Sequence, residues 1–193
     1  MLPVLCLVSL SAAIAGAGNT WQDEFRVYAA DIAQQCTAVK QQLAEFKVRS
    51  NPLAGYTLKD AVQSLCVCLP EKTQALKDQF SAEDLVREVA AEDFLARFNP
   101  AVIDKCAAEQ MLAMYGDDCP KRFKKAGLNE RRYCACMKEV VSGYTESMTA
   151  EIAADASDYL PLAAELEQRG EPVPPRPPAL EAYYQADQRC KVQ

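Results

Sequence analysis

Cysteine constrains this chain more than any other residue type. Nine cysteines accompany no histidine, and four of them form two Cys-x-Cys motifs, Cys66 with Cys68 and Cys134 with Cys136. The others are Cys6, Cys36, Cys106, Cys119 and Cys190. The absence of histidine removes imidazole bases and imidazole metal ligands from the possible chemistry.

Cys6 lies in an apolar run, residues 2–10, followed by small apolar residues up to Ala17. The first charged side chain is Asp23, and Ala15, Gly16 and Ala17 have the small-x-small form of a signal-peptidase site. This run is short for a spanning helix, which needs roughly 20 residues. Residues 1–17 therefore read as a cleaved signal peptide, although one with no Lys or Arg at its start. Cleavage removes Cys6 and leaves an even set, as disulfides in an exported chain require. Asn19, Asn51, Asn99 and Asn129 all fail the Asn-x-Ser/Thr sequon, which favours a bacterial periplasmic setting over a glycosylated one. The expected location is periplasmic or secreted.

The rest of the chain predicts an all-α fold. Trp21, Phe25, Tyr28, Ile32, Cys36, Val39, Leu43 and Phe46 recur at steps of three and four, the period of a long amphipathic helix with these aromatics in the core. Its expected end is the break at Ser50, Asn51 and Pro52. Thr57 with Asp60 predicts a capped start for a helix through Leu58, Val62, Leu65 and Leu69. Ser81 and Asp84 predict another start, with one helix running to Phe98. Asn99 with Pro100 predicts the cap and first position of the next, and Gly116 and Gly127 are expected helix stops.

Two stretches parallel each other. Residues 32–38 resemble 102–108 at an offset of 70, which aligns Cys36 with Cys106. The two Cys-x-Cys motifs align at an offset of 68, as do residues 80–83 and 148–151. The expected organisation is a disulfide-stapled helical bundle of two related three-helix units, 18–98 and 99–169. Five of the eleven prolines lie at 172–178, a stiff linker. Residues 170–193 then form a strap with a short helix carrying Leu180, Tyr183, Tyr184 and Cys190.

Residues two apart on an α-helix point roughly 200° apart, so the two cysteines of one motif cannot bond each other. Cys66 and Cys68 fall about 80° to either side of the stripe of Leu58, Val62, Leu65 and Leu69. Cys134 and Cys136 flank the stripe of Tyr133, Met137, Val140, Val141 and Tyr144. Each motif should sit on a helix bridged to neighbours on both sides. A nested antiparallel hairpin gives Cys119–Cys134 and Cys106–Cys136. Elimination then gives Cys36–Cys68 and Cys66–Cys190.

The alternative for these motifs is chemistry. Thiolates with the thioethers of Met111, Met114, Met137 and Met148 would suit Cu(I), and an exposed acidic thiol could exchange disulfides. Structural disulfides are the preferred reading, with no cofactor and no resident metal. The acidic positions Glu83, Asp84, Glu88, Glu92 and Asp93 read as a solvated helix face rather than an acid–base pair.

With 21 basic and 27 acidic residues the formal charge is −6, which argues against nucleic-acid binding. Against that background Lys121, Arg122, Lys124, Lys125, Arg131 and Arg132 place six cations within twelve positions. They read either as a solvated hinge between helices or as a docking surface for an acidic protein, a phosphate or an anionic envelope polymer. No nucleophile elbow or phosphate-binding glycine loop occurs. The expectation is a binding protein, not an enzyme, such as an immunity or inhibitor protein or an envelope adaptor.

Overall fold

A computed structural model describes residues 19–46, 52–124 and 128–192. The proposed leader, residues 1–17, lies outside them, as do Ser50, Asn51, Lys125 and Gly127. The described chain is helical almost throughout.

Helix α1 spans Trp21–Glu45. Thr20 caps it: its hydroxyl accepts from the Asp23 N–H while the Asp23 carboxylate accepts from the Thr20 backbone. Its buried stripe is Phe25, Tyr28, Ile32 and Val39, as the periodicity predicts. It ends ahead of the expected break.

Helix α2 spans Pro52–Gln63 and runs without interruption through a π turn, Ser64–Cys68 (π1), into α3, Leu69–Lys77. It starts five residues before the Thr57 cap predicted from sequence. Pro52 takes the first turn, where a missing N–H costs nothing, so Thr57 is interior to the helix. The π turn precedes Pro70, whose ring would clash with the carbonyl four residues back in a regular helix. The wider turn relieves that clash, and the Leu69 N–H donates to the Ser64 carbonyl instead.

The single helix expected from Ser81 to Phe98 is two, α4 (Ala82–Leu85) and α5 (Ala91–Phe98). Ser81 does cap α4 in a capping box with Asp84. The chain between them is drawn out by the residues entering α1. Trp21 N–H donates to the Arg87 carbonyl at 3.1 Å, Val89 N–H donates to the Asn19 carbonyl at 2.9 Å, and Thr20 bridges Glu88 in antiparallel fashion.

Asn99 does not cap a new helix. It has helical backbone angles, and α5 continues through a second π turn, Asn99–Ile103 (π2), into α6, Asp104–Met114. Pro100 lies at the start of that turn, in which the Asp104 N–H donates to the Asn99 carbonyl. Gly116 follows the end of α6, as expected. Then come α7 (Cys119–Arg122), α8 (Glu130–Ser142), α9 (Glu146–Arg169) and α10 (Pro178–Lys191). Gly170 ends α9 at φ 68°, a left-handed conformation that disfavours a Cβ.

Two apolar cores result. In the first, Phe25, Phe94 and Phe98 interlock with Tyr28, Leu65, Leu69 and Val102. The second gathers Met111, Met114, Tyr115, Tyr133, Met137, Ile152, Leu180 and Tyr183. Helix α6 belongs to both, since Cys106 packs into the first and Met111 into the second. The C-terminal strap packs on the second core and not, as the expected Cys66–Cys190 bridge required, on the first: α10 lies against α8 and α9, and Leu180, Tyr183 and Cys190 are buried.

Candidate functional site

All eight described cysteines are bonded, as Cys36–Cys66, Cys68–Cys106, Cys119–Cys134 and Cys136–Cys190. Each Cys-x-Cys motif bridges to both sides, as its angular placement predicts. The first cysteine reaches the preceding element and the second reaches the following one.

Of the pairings predicted from sequence, Cys119–Cys134 is correct. Cys36–Cys68, Cys66–Cys190 and Cys106–Cys136 are not. The error came from assigning Cys106 to its own unit. Helix α6 lies against π1, so Cys106 meets Cys68. Cys36 is left with Cys66, and the strap closes on Cys136 of α8.

With every described cysteine in a disulfide, a Cu(I) site would first require reduction. Among the described residues no group of three or more His, Cys, Asp or Glu is arranged to hold a metal ion.

The bridges differ in burial. Cys106, Cys119 and Cys190 are at most 2% exposed, and Cys68 and Cys134 are also buried. Cys36 and Cys66 are both only half-buried. Theirs is the one bridge with neither end in the interior.

The six predicted docking cations separate into distinct roles. Arg122 turns inward. Its guanidinium grips the Asp60 carboxylate with both terminal nitrogens, one at 3.0 Å, and lies over the Tyr56 ring, 4.8 Å from its centroid. The two side chains are 11% and 17% exposed, so Arg122 fixes α7 to α2 and is not a free docking group. Lys121 is exposed and pairs with Asp118 at 2.7 Å, which holds its ammonium above the usual lysine range. Lys124, Arg131 and Arg132 are exposed. Lys125 lies outside the described residues.

The hairpin that carries them is held at three points. Cys119–Cys134 closes it, Arg122 anchors it, and Phe123 stacks on Tyr115 at 5.7 Å and meets Tyr133 edge-on at 5.3 Å. Sequence reasoning missed Asp60 and Tyr56 as partners of Arg122, since the ion pair alone spans 62 residues. No local pattern signals that contact.

Beneath the hairpin is a buried phenol cluster. The Tyr115 and Tyr183 hydroxyls bond each other, and the Tyr133 hydroxyl donates to Asp187 at 2.7 Å. Burial drives all three phenols well above the ordinary tyrosine pKa, and for Tyr133 the hydrogen bond to Asp187 adds to it. Asp187 also pairs with Lys191. On the outer face of α10 a shallow groove of about 500 Å³ is lined by Arg176, Glu181, Tyr184, Gln185, Gln188 and Arg189. Arg176 lies over Tyr184 there and pairs with Glu181 at 2.9 Å.

No family model, curated protein or solved structure matches this chain. Four disulfides are the mark of an oxidising, non-cytoplasmic compartment. No helix among the described residues is long and apolar enough to cross a membrane.

Proposed function

We propose that this is an exported binding protein, periplasmic or secreted, that docks an acidic protein through the α7–α8 hairpin. Its role is that of an immunity, inhibitor or adaptor protein rather than an enzyme. The observation that carries the reading is the exposure of Lys121, Lys124, Arg131 and Arg132 beside α7 and on α8, two elements tied by Cys119–Cys134 and, at α7, by Arg122–Asp60.

Exposed cations on a protein of formal charge −6 create a local field opposite to that of the whole. Such a patch orients encounter with an acidic surface and raises the association rate. A hairpin already held in place loses little conformational freedom on docking. The same reading treats the two units, 18–98 and 99–169, as copies of one design, in which each Cys-x-Cys clasps the elements before and after it.

The test replaces Lys121, Lys124, Arg131 and Arg132 together with Gln. Wild-type and substituted protein are each used to capture partners from an envelope fraction at low and high salt. A protein retained by the wild type at low salt, released at high salt and not held by the variant supports the reading. Equal retention by both proteins overturns it.

A further inference from the structure

We propose that Cys36–Cys66 is a thiol–disulfide exchange site for dithiols, and that its reduction releases the C-terminal turns of α1 while both cores stay closed. The proposal does not depend on the docking surface, since it concerns the other half of the molecule.

Exchange requires a thiolate to approach a disulfide sulfur. At the other three bridges at least one cysteine is sealed in the interior: Cys106 at 1%, Cys119 at 0% and Cys190 at 2% exposure. Cys36 and Cys66 instead sit at the rim of the first core. They join the middle of α1 to π1 across a Cα–Cα distance of 5.1 Å.

The chemistry balances with a dithiol as reductant. Its thiolate attacks one sulfur of the bridge, forms a mixed disulfide and expels the other cysteine as a thiolate, which takes up a proton. The second thiol of the reductant then attacks the mixed disulfide and frees the second cysteine. Two electrons and two protons pass to the Cys36–Cys66 pair, and the reductant leaves as its own disulfide. The reduced Cys66 thiol has an acceptor in place, since the Cys36 carbonyl oxygen lies 3.6 Å from its sulfur.

The two halves of α1 differ in what holds them. Before Cys36, Phe25, Tyr28 and Ile32 are buried at 5% exposure or less. After it, Val39 is buried and Leu43 half-buried, while Thr37, Ala38, Lys40, Gln41, Gln42, Ala44 and Glu45 are exposed. The last turn carries no basic residue and ends on Glu45, which opposes the helix dipole. A helical stretch this short is marginal without tertiary support, which here comes from the bridge together with the buried Val39 and the packing of α1 on α2.

The full mature chain is titrated with dithiothreitol, quenched by alkylation and mapped by mass spectrometry, with amide exchange followed in parallel. The expected result is alkylation of Cys36 and Cys66 before any other cysteine, with loss of exchange protection over residues 37–45 and retained protection in α5 and α9. The C36A/C66A variant should show the same loss without reductant. Another bridge opening first, or all four opening in one step, overturns the exchange site. Selective opening with residues 37–45 still protected overturns the release.

Discussion

The hydroxyls of Tyr115 and Tyr183 meet in the second core, 68 residues apart in sequence. One ends α6 and the other lies on the C-terminal strap, so this contact and Cys136–Cys190 together seat α10 on the body. Replacing either tyrosine by Phe leaves a buried hydroxyl without its partner, at an expected cost of about 1–3 kcal/mol. The double variant Y115F/Y183F should lie closer to wild type than the sum of the single changes. Urea unfolding of the three variants measures this.

The same phenols set a limit to alkaline stability. Tyr115, Tyr133 and Tyr183 have native pKa values raised above that of an unfolded tyrosine. As pH rises through about 10, the unfolded chain loses these protons while the native state keeps them. Stability from this source is therefore fully present below that pH and falls above it. Of the eight tyrosines, these three should show no phenolate absorbance until the protein unfolds. The Y115F/Y183F variant should have a shallower alkaline slope.

Arg122 and Asp60 should behave as a unit. R122M strands a mostly buried carboxylate, at an expected cost of roughly 2–3 kcal/mol, below the fully buried range because both groups keep some solvent contact. Adding D60L to R122M should recover part of that loss. If the single variants are additive in a thermal-unfolding cycle, the pair is not coupled and the hairpin is anchored elsewhere.

Proteolysis under non-reducing conditions should yield four linked peptide pairs: Cys36 with Cys66, Cys68 with Cys106, Cys119 with Cys134, and Cys136 with Cys190. The C136S/C190S variant should lose about 2–4 kcal/mol, with faster amide exchange in α10. Unchanged exchange there would show that Leu180 and the tyrosines hold the strap unaided.

Much of the fold was legible locally. The period of three and four marks α1, Ser81 with Asp84 marks the start of α4, and the proline run followed by apolar residues marks the strap and α10. These signals lie within a few residues of what they specify. The Cys-x-Cys spacing likewise required bridges to both sides, because two side chains two apart on a helix diverge. For the α7–α8 hairpin, sequence showed a cluster of cations but not which of them faced solvent.

What sequence by itself determined, then, was helix and, for the two Cys-x-Cys motifs, that each would bridge to both sides. Tertiary structure alone decided which cysteine met which, and which cation turned inward. Two π turns, before Pro70 and around Pro100, keep the helices continuous, the second through a position where the sequence suggested a break. That continuity lays α6 along π1, gives Cys68 to Cys106, and leaves Cys36 and Cys66 at the rim of the first core. A disulfide or a buried ion pair needs two groups brought within a few ångströms, and only the packing of whole helices sets that distance.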